Sequence, residues 1–279
     1  MKRFFSVFVI VFAASAISNG QKLPVEQIIA NHLGSIGSAD ARSKNTNVSV
    51  VGDVQFTSGP SAPRSLNGRG VFSSEGNKIL FAMTFPQTMY PLEKVTWDGK
   101  NLGVGFPTQG LRSALGDFIF RNEDLFREGL FGGVLSKSWV MLDLAARKGK
   151  LSAEGTKKID GKQVYLLTYE PKKGIGLTIK MYFDAETFRH LRTEYTRTIS
   201  PQMGATPETS ARQSESYERL TEDFFDFKEE NGLVLPRGYR VTLANQTNNV
   251  AHEYKYLFLI RDAYYNQKLD PSTFSKDGN

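Results

Sequence analysis

The chain has 279 residues, 12% of them aromatic with 20 Phe and 11 Tyr, a formal net charge of +6 and no cysteine. The missing cysteine excludes disulfides, thiol catalysis, Cys-ligated metals and a lipid anchor on an N-terminal cysteine. Lysines and arginines are interleaved with acids and form no basic stripe, so nucleic acid is not an expected partner, and the length fits one large β domain or two smaller ones.

In chain order, Lys2 and Arg3, the apolar run Phe4 to Phe12 and the small residues Ala13, Ala14, Ser15 and Ala16 read as an export leader. Cleavage is expected after Ala16 or near Gly20. The run is too short to span a bilayer comfortably, and no later stretch is a transmembrane candidate. The mature protein is therefore expected to be soluble, periplasmic and monomeric. Domain boundaries follow as a signal peptide at 1–20 and a single domain at 21–279.

Pro24 to Leu33 predicts a helix with Val25, Ile28, Ile29 and Leu33 on one face and Gly34 as its stop. A second short helix is expected before Asn45. Strands are then predicted over 46–57, 66–74, 78–85, 93–98 and 101–106. Glycines in the second of these suggest curvature or a bulge. Gly59 to Arg64 is a breaker, Glu75-Gly76-Asn77 a hairpin turn, and Asp98-Gly99 another.

Residues 110–135 interrupt the β pattern. Leu111, Leu115, Phe118 and Ile119 recur at helical spacing, so one or two short helices are expected, ending at Gly129 or Gly132-Gly133. An insert this apolar has to plug a sheet face or cover a cavity. Strands resume at Trp139 to Leu144 and 151–159. A three-stranded meander follows: Lys162 to Glu170, Gly176 to Asp184 and Arg189 to Ile199. Leu177, Ile179, Met181 and Phe183 form the inward row of its middle strand. After a polar loop at 200–212 come strands at 213–227 (Tyr217, Phe225 and Phe227 on one face), 233–243 and 251–261. Phe274 is expected to dock the tail. The predicted fold class is mainly β: a large curved antiparallel sheet, an incomplete barrel, with helices covering its concave side.

Chemistry is sparse. His32, His190 and His252 have no metal-ligand spacing and read as three unrelated surface or boundary histidines. No Gly-x-Ser-x-Gly elbow is present. Of the acid clusters, Asp184/Glu186, Glu222/Asp223 and Glu229/Glu230, the first and last flank turns and read more simply as solvated ends than as catalytic pairs. No metal or cofactor is expected. The feature above background is apolar. Phe72, Phe81, Met83 and Phe85 on strands, Leu115, Phe118 and Ile119 in the insert, and Ile179 and Met181 in the meander are the candidate lining of a hydrophobic cavity. The alternative use of the same residues is an ordinary core.

The order of features carries a resemblance: VEQIIANHLGS at 25–35, curved strands, IDGKQVYLLTYEPKKG at 159–174, LTIKMYFDAETFRHLRTEY at 177–195, ENGLVLPRGYRVTL at 230–243 and LDPSTF at 269–274. This resembles the outer-membrane lipoprotein-sorting superfamily, the LolA-like proteins. The resemblance implies a half-barrel whose cavity holds acyl chains. It implies a non-enzymatic periplasmic protein that binds a lipid or an acylated lipoprotein, in traffic to the outer membrane. An envelope sensor or protein-interaction module using the same groove or a sheet edge is the alternative, and a hydrolase with a dispersed site the third reading. For the arginine buried in the carriers of that family, Arg69, Arg112 and Arg121 are the candidate counterparts.

Overall fold

The computed structural model describes residues 23–59, 64–106, 111–200, 215–247 and 250–276. The leader at 1–20 lies outside the described residues, as do most of the breaker after Gly59 and of the loop predicted at 200–212. Among the described residues no helix is long and apolar enough to cross a membrane.

Two helices lead in. α1 (Val25–Ile36) starts at Pro24 and runs through Gly34 to stop at Gly37. It buries Ile28, His32 and Ile36, so the true inward stripe is one residue of every four, with a histidine in the middle. The predicted stop at Gly34 fails because glycine inside a helix costs only about 1 kcal/mol, and the burial of Ile36 outweighs it. α2 (Ala39–Lys44) is capped by Ser38, whose Oγ accepts from Ala41 N–H.

Twelve antiparallel strands follow: β1 (Asn47–Ser58), β2 (Arg64–Glu75), β3 (Lys78–Thr84), β4 (Leu92–Trp97), β5 (Leu102–Gly105), β6 (Lys150–Ile159), β7 (Lys162–Glu170), β8 (Thr178–Asp184), β9 (His190–Ile199), β10 (Ser216–Glu230), β11 (Leu233–Thr247) and β12 (Val250–Tyr265). They form one open sheet in the order β5-β4-β3-β2-β1-β12-β11-β10-β9-β8-β7-β6. Two meanders are thus joined where β1 pairs with β12. Register shifts at Val51/Gly52, Ala153/Gly155 and Tyr182/Phe183 add the local twist that curls a long sheet.

The strand order has one large consequence. β5 and β6 are neighbours in sequence but the two outer edges in space. The chain between them must cross from one edge to the other over the concave face. It does so as α3 (Ala114–Arg121), α4 (Asp124–Arg127), 3-10 turns at Gly133–Leu135 and Val140–Leu142, and α5 (Leu144–Arg147). The strand predicted at Trp139 to Leu144 is therefore wrong. Its apolar run belongs to the crossing, where Trp139, Val140 and Met141 are all buried; a short run that is apolar throughout carries no period to tell a strand from a buried turn.

The two ends of the half-barrel differ. At the lower end three hairpins close in two residues, at 76–77, 160–161 and 231–232, while β4/β5 and β8/β9 turn over 98–101 and 185–189; Asp160-Gly161 and Asn231-Gly232 both hold positive φ, as a type I′ turn requires. α1 and α2 pack there, and the Asn231 side chain hydrogen-bonds Asn45 Oδ1. Phe274 docks at the same end, under Lys78. At the upper end the strands are left by the longer segments 59–63, 85–91, 106–113, 171–177 and 200–215, alongside the short link 248–249 between β11 and β12.

Candidate functional site

The nine side chains selected from sequence are all buried in one continuous core. Phe81 packs edge to face on Tyr239 and lies 5.7 Å, centroid to centroid, from Phe131 of the insert. Phe131 in turn stacks on Phe126 at 4.9 Å. The insert thus brings its own rings into the space that the strand residues face. None of the nine lines either apolar pocket described below.

What seats the insert is polar as well as apolar. Glu222 on β10 is fully buried. Its Oε1 accepts from Gly132 N–H at 2.8 Å and from the Tyr239 hydroxyl. Tyr195 Oη lies 2.7 Å from Glu222 Oε2 and 3.1 Å from the Leu130 carbonyl. One hydroxyl proton cannot serve both acceptors. Protonated Glu222 can donate to Tyr195, which then donates to Leu130, and every contact is satisfied. Burial, opposed by these hydrogen bonds, pushes the Glu222 carboxyl up to about 7. Gly132 has φ +82°, and a Cβ there would sit 2.4 Å from the Phe72 ring, so only glycine passes between Phe72 and the carboxyl.

Two of the three histidines are also buried, not at the surface. His32 Nδ1 faces the Phe188 carbonyl at 3.0 Å, and the Trp139 indole N–H donates to His32 Nε2 at 3.0 Å. That arrangement needs neutral imidazole, and burial holds its pKa down at about 4. His190 stacks on Trp139 at 4.7 Å. His252 is exposed. Among the described residues no group of three or more His, Cys, Asp or Glu could hold a metal ion.

Open space lies elsewhere. At the upper end a pocket of about 380 Å³ is lined by Phe56, Leu66, Met89, Tyr90, Phe106, Ala114, Tyr254 and Tyr256, with Ser58, Gln87 and Ser113 at its margin. Among the described residues no lysine or arginine lines it. Its floor carries a second buried acid: Ser113 Oγ donates to Glu93 Oε1 at 2.8 Å, Tyr90 donates to Glu93 Oε2, and Tyr90 and Tyr256 hydroxyls meet at 2.9 Å. Burial, opposed by the Ser113 and Tyr90 hydrogen bonds, raises Glu93 to about 7, so the floor carboxyl is largely protonated only below neutral pH. Met89 in its lining is 88% exposed. Of the nine predicted residues, Phe85 comes nearest, stacked on Tyr90 at 5.4 Å and facing Phe56 at 6.1 Å.

A second apolar pocket, about 310 Å³, lies at the lower end between α1, α2, the 134–142 segment and the start of β11. A further hollow, about 790 Å³, is a polar depression bordered by Lys157, Lys158, Lys162, Asp184 and Glu186, with no apolar wall to hold a chain. The three arginines considered as counterparts of a buried cavity arginine do not enter the interior. Arg69 pairs with Asp53 at the surface, Arg112 lies over the ring of Phe120, and Arg121 bridges Asp117 and Glu218.

No family model matches the sequence, and no curated protein does. Solved structures match the fold. A crystal structure of a LolA superfamily protein from Nitrosomonas europaea is similar at a TM-score of 0.50 and 13% identity, covering 91% of this chain and 99% of that one. A DUF1329 family protein from Desulfovibrio piger also matches at 0.50 and 13%, covering 90% and 97%. The fold is LolA-like.

Proposed function

We propose that this chain is a non-enzymatic, exported binding protein that takes an uncharged acyl chain, as borne by a lipid or an acylated lipoprotein, into the upper pocket. The observation that carries this reading is the pocket itself: eight apolar or aromatic side chains around about 380 Å³, continuous with exposed Met89. Sites of this size lined by aromatics and few polar groups are the usual form of an apolar ligand site, and methionine adapts its shape to the occupant. With no cation among the described residues of its wall and the Glu93 carboxyl at its floor, the pocket favours ester-linked chains over free carboxylates. The apolar leader at 4–12 supports export, and the similarity in fold to a LolA superfamily protein supports a place in the cell envelope. The nine sequence-selected residues become accessible to a longer chain only if the insert lifts from the sheet.

Strand addition at an edge is the weaker reading. β6 is an edge strand, and it carries Lys150, Lys157 and Lys158, the kind of edge that blunts pairing with another strand.

The test is to purify the protein from envelope extracts in mild detergent and record native mass spectra before and after organic extraction. A bound acylated species, released on extraction, is expected. Repeated recovery of ligand-free protein, together with no saturable uptake of a pyrene-labelled acyl methyl ester, overturns the reading.

A further inference from the structure

The lower pocket differs from the upper one in its charge. Its walls are Ile36, Val48, Val134, Trp139, Leu233 and Leu235, and two cations, Arg42 and Lys137, border it with no carboxylate in the lining among the described residues. Arg42 Nη1 donates to the Leu33 and Gly37 carbonyls at the end of α1. Lys137 Nζ donates to the Arg42 carbonyl at 3.1 Å. Those contacts place both charged groups on one rim but neutralise neither with an acid. Burial and the repulsion of Arg42 both lower the Lys137 pKa, and no acid raises it. Two like charges held together beside an apolar hollow cost free energy that an anion between them would recover.

We propose that the lower pocket is a second ligand site, for a single-chain amphiphile with an anionic head: the chain lies against Trp139, Leu233 and Leu235, and the head sits between Arg42 and Lys137. The volume of about 310 Å³ equals about ten waters at ~30 Å³ each. That suits one medium chain and not a diacyl lipid. A carboxylate fits the Arg42 fork through two parallel hydrogen bonds, and a phosphate monoester can do the same, so a free fatty acid and a phosphorylated single-chain lipid share the chemistry.

Trp139 reports on this pocket, and it is one of only two tryptophans. In a full-length mature protein carrying Trp97→Phe, Trp139 fluorescence is titrated below micelle concentration with dodecanoate, dodecyl phosphate, dodecanol and dodecyltrimethylammonium. Saturable binding of at least one anion, about tenfold or more tighter than dodecanol, is expected, with the cation weakest. The stronger of dodecanoate and dodecyl phosphate identifies the natural head as carboxylate or phosphate. Arg42→Gln and Lys137→Gln should each weaken the anion and leave dodecanol unchanged. Because Arg42 also caps α1, Lys137→Gln is the decisive variant if Arg42→Gln lowers the melting temperature. Met89→Asp, at the other end, should leave this titration unaltered. Equal binding of dodecanol and the anions, an unchanged anion affinity in Lys137→Gln, or loss of the signal in Met89→Asp would each overturn the assignment.

Discussion

The interior under the insert and the pocket at the upper end are built from the same residue types and behave oppositely. Phe81, Phe126 and Phe131 form a filled stack, whereas Phe56, Tyr90 and Tyr254 surround space. The difference lies in what the chain itself supplies. Because β5 and β6 are the sheet's edges, the insert has to cross the middle of the concave face, and it delivers Leu125, Phe126, Leu130 and Phe131 there. It enters from the upper end only as α3, whose first turn reaches the pocket through Ser113 and Ala114. Apolar surface is covered in the middle and left open at the mouth.

The largest test of that contrast is Phe81→Asp. Truncating a buried Phe costs about 3–5 kcal/mol, and an unpaired buried carboxylate adds to it. We expect no cooperatively folded protein by circular dichroism. A stable, folded variant would mean that this region is an open cavity, as the sequence alone allowed. Gly132→Ala comes next. A left-handed residue with a Cβ costs about 1–2 kcal/mol, and here that Cβ also meets the Phe72 ring. Urea denaturation should show a loss on the order of 2 kcal/mol or more; an unchanged midpoint would show that the insert is not held against Phe72.

The third test separates the ends by titration. His32 and His190 have lowered pKa values through burial, so the folded state binds fewer protons than the unfolded one, and stability rises with pH from about 4 to the unfolded histidine value of about 6.5. Glu93 and Glu222 are raised to about 7 by burial. Their contribution is greatest below the unfolded value near 4.5 and is lost as pH rises to about 7. The two pairs oppose each other, and the wild-type melting temperature should be nearly flat between about pH 5 and 6.5. Glu93→Gln or Glu222→Gln removes one falling contribution, so the variant's melting temperature should climb with pH across that interval. A variant profile parallel to wild type would mean that the carboxyl replaced is ionised throughout.

Much of this architecture is legible in the sequence, for a physical reason. Alternation such as Leu233, Leu235, Tyr239, Val241 and Leu243 states both strand and face, and Asn231-Gly232 states the turn. What escapes is what depends on partners distant in the chain. Glu222 has no assigned role until Gly132, Tyr195 and Tyr239 are brought to it, though its place between Leu220 and Phe224 on the inward row of β10 is a signal that could have found it. His32 shares the stripe of Ile28 and Ile36 at helical spacing, which likewise marks it as buried. The upper pocket draws on five separate segments, and nothing in Met89 or Phe106 alone says that they meet. The nine residues selected for a cavity all lie in the buried cluster, and burial in a core is the commonest fate of such residues.

The smallest effect on stability, and the sharpest on binding, is expected from Met89→Asp. Met89 is 88% exposed yet lines the upper pocket, so its replacement should change stability by no more than about 0.5 kcal/mol. An acyl chain that covers Met89 would gain about 1.5–3 kcal/mol from burying it, which corresponds to roughly ten- to a hundredfold in affinity. The aspartate forfeits that gain and adds a charge beside Glu93, which raises the cost of any apolar occupant. Uptake of the pyrene-labelled ester should therefore fall by at least that factor while the melting temperature stays put. Were affinity unchanged, the chain would have to enter somewhere else, and the filled interior under the insert would return as the place to look. Were affinity and melting temperature to fall together, Met89 would be part of the fold, and the distinction between a packed middle and an open mouth would not hold at this residue.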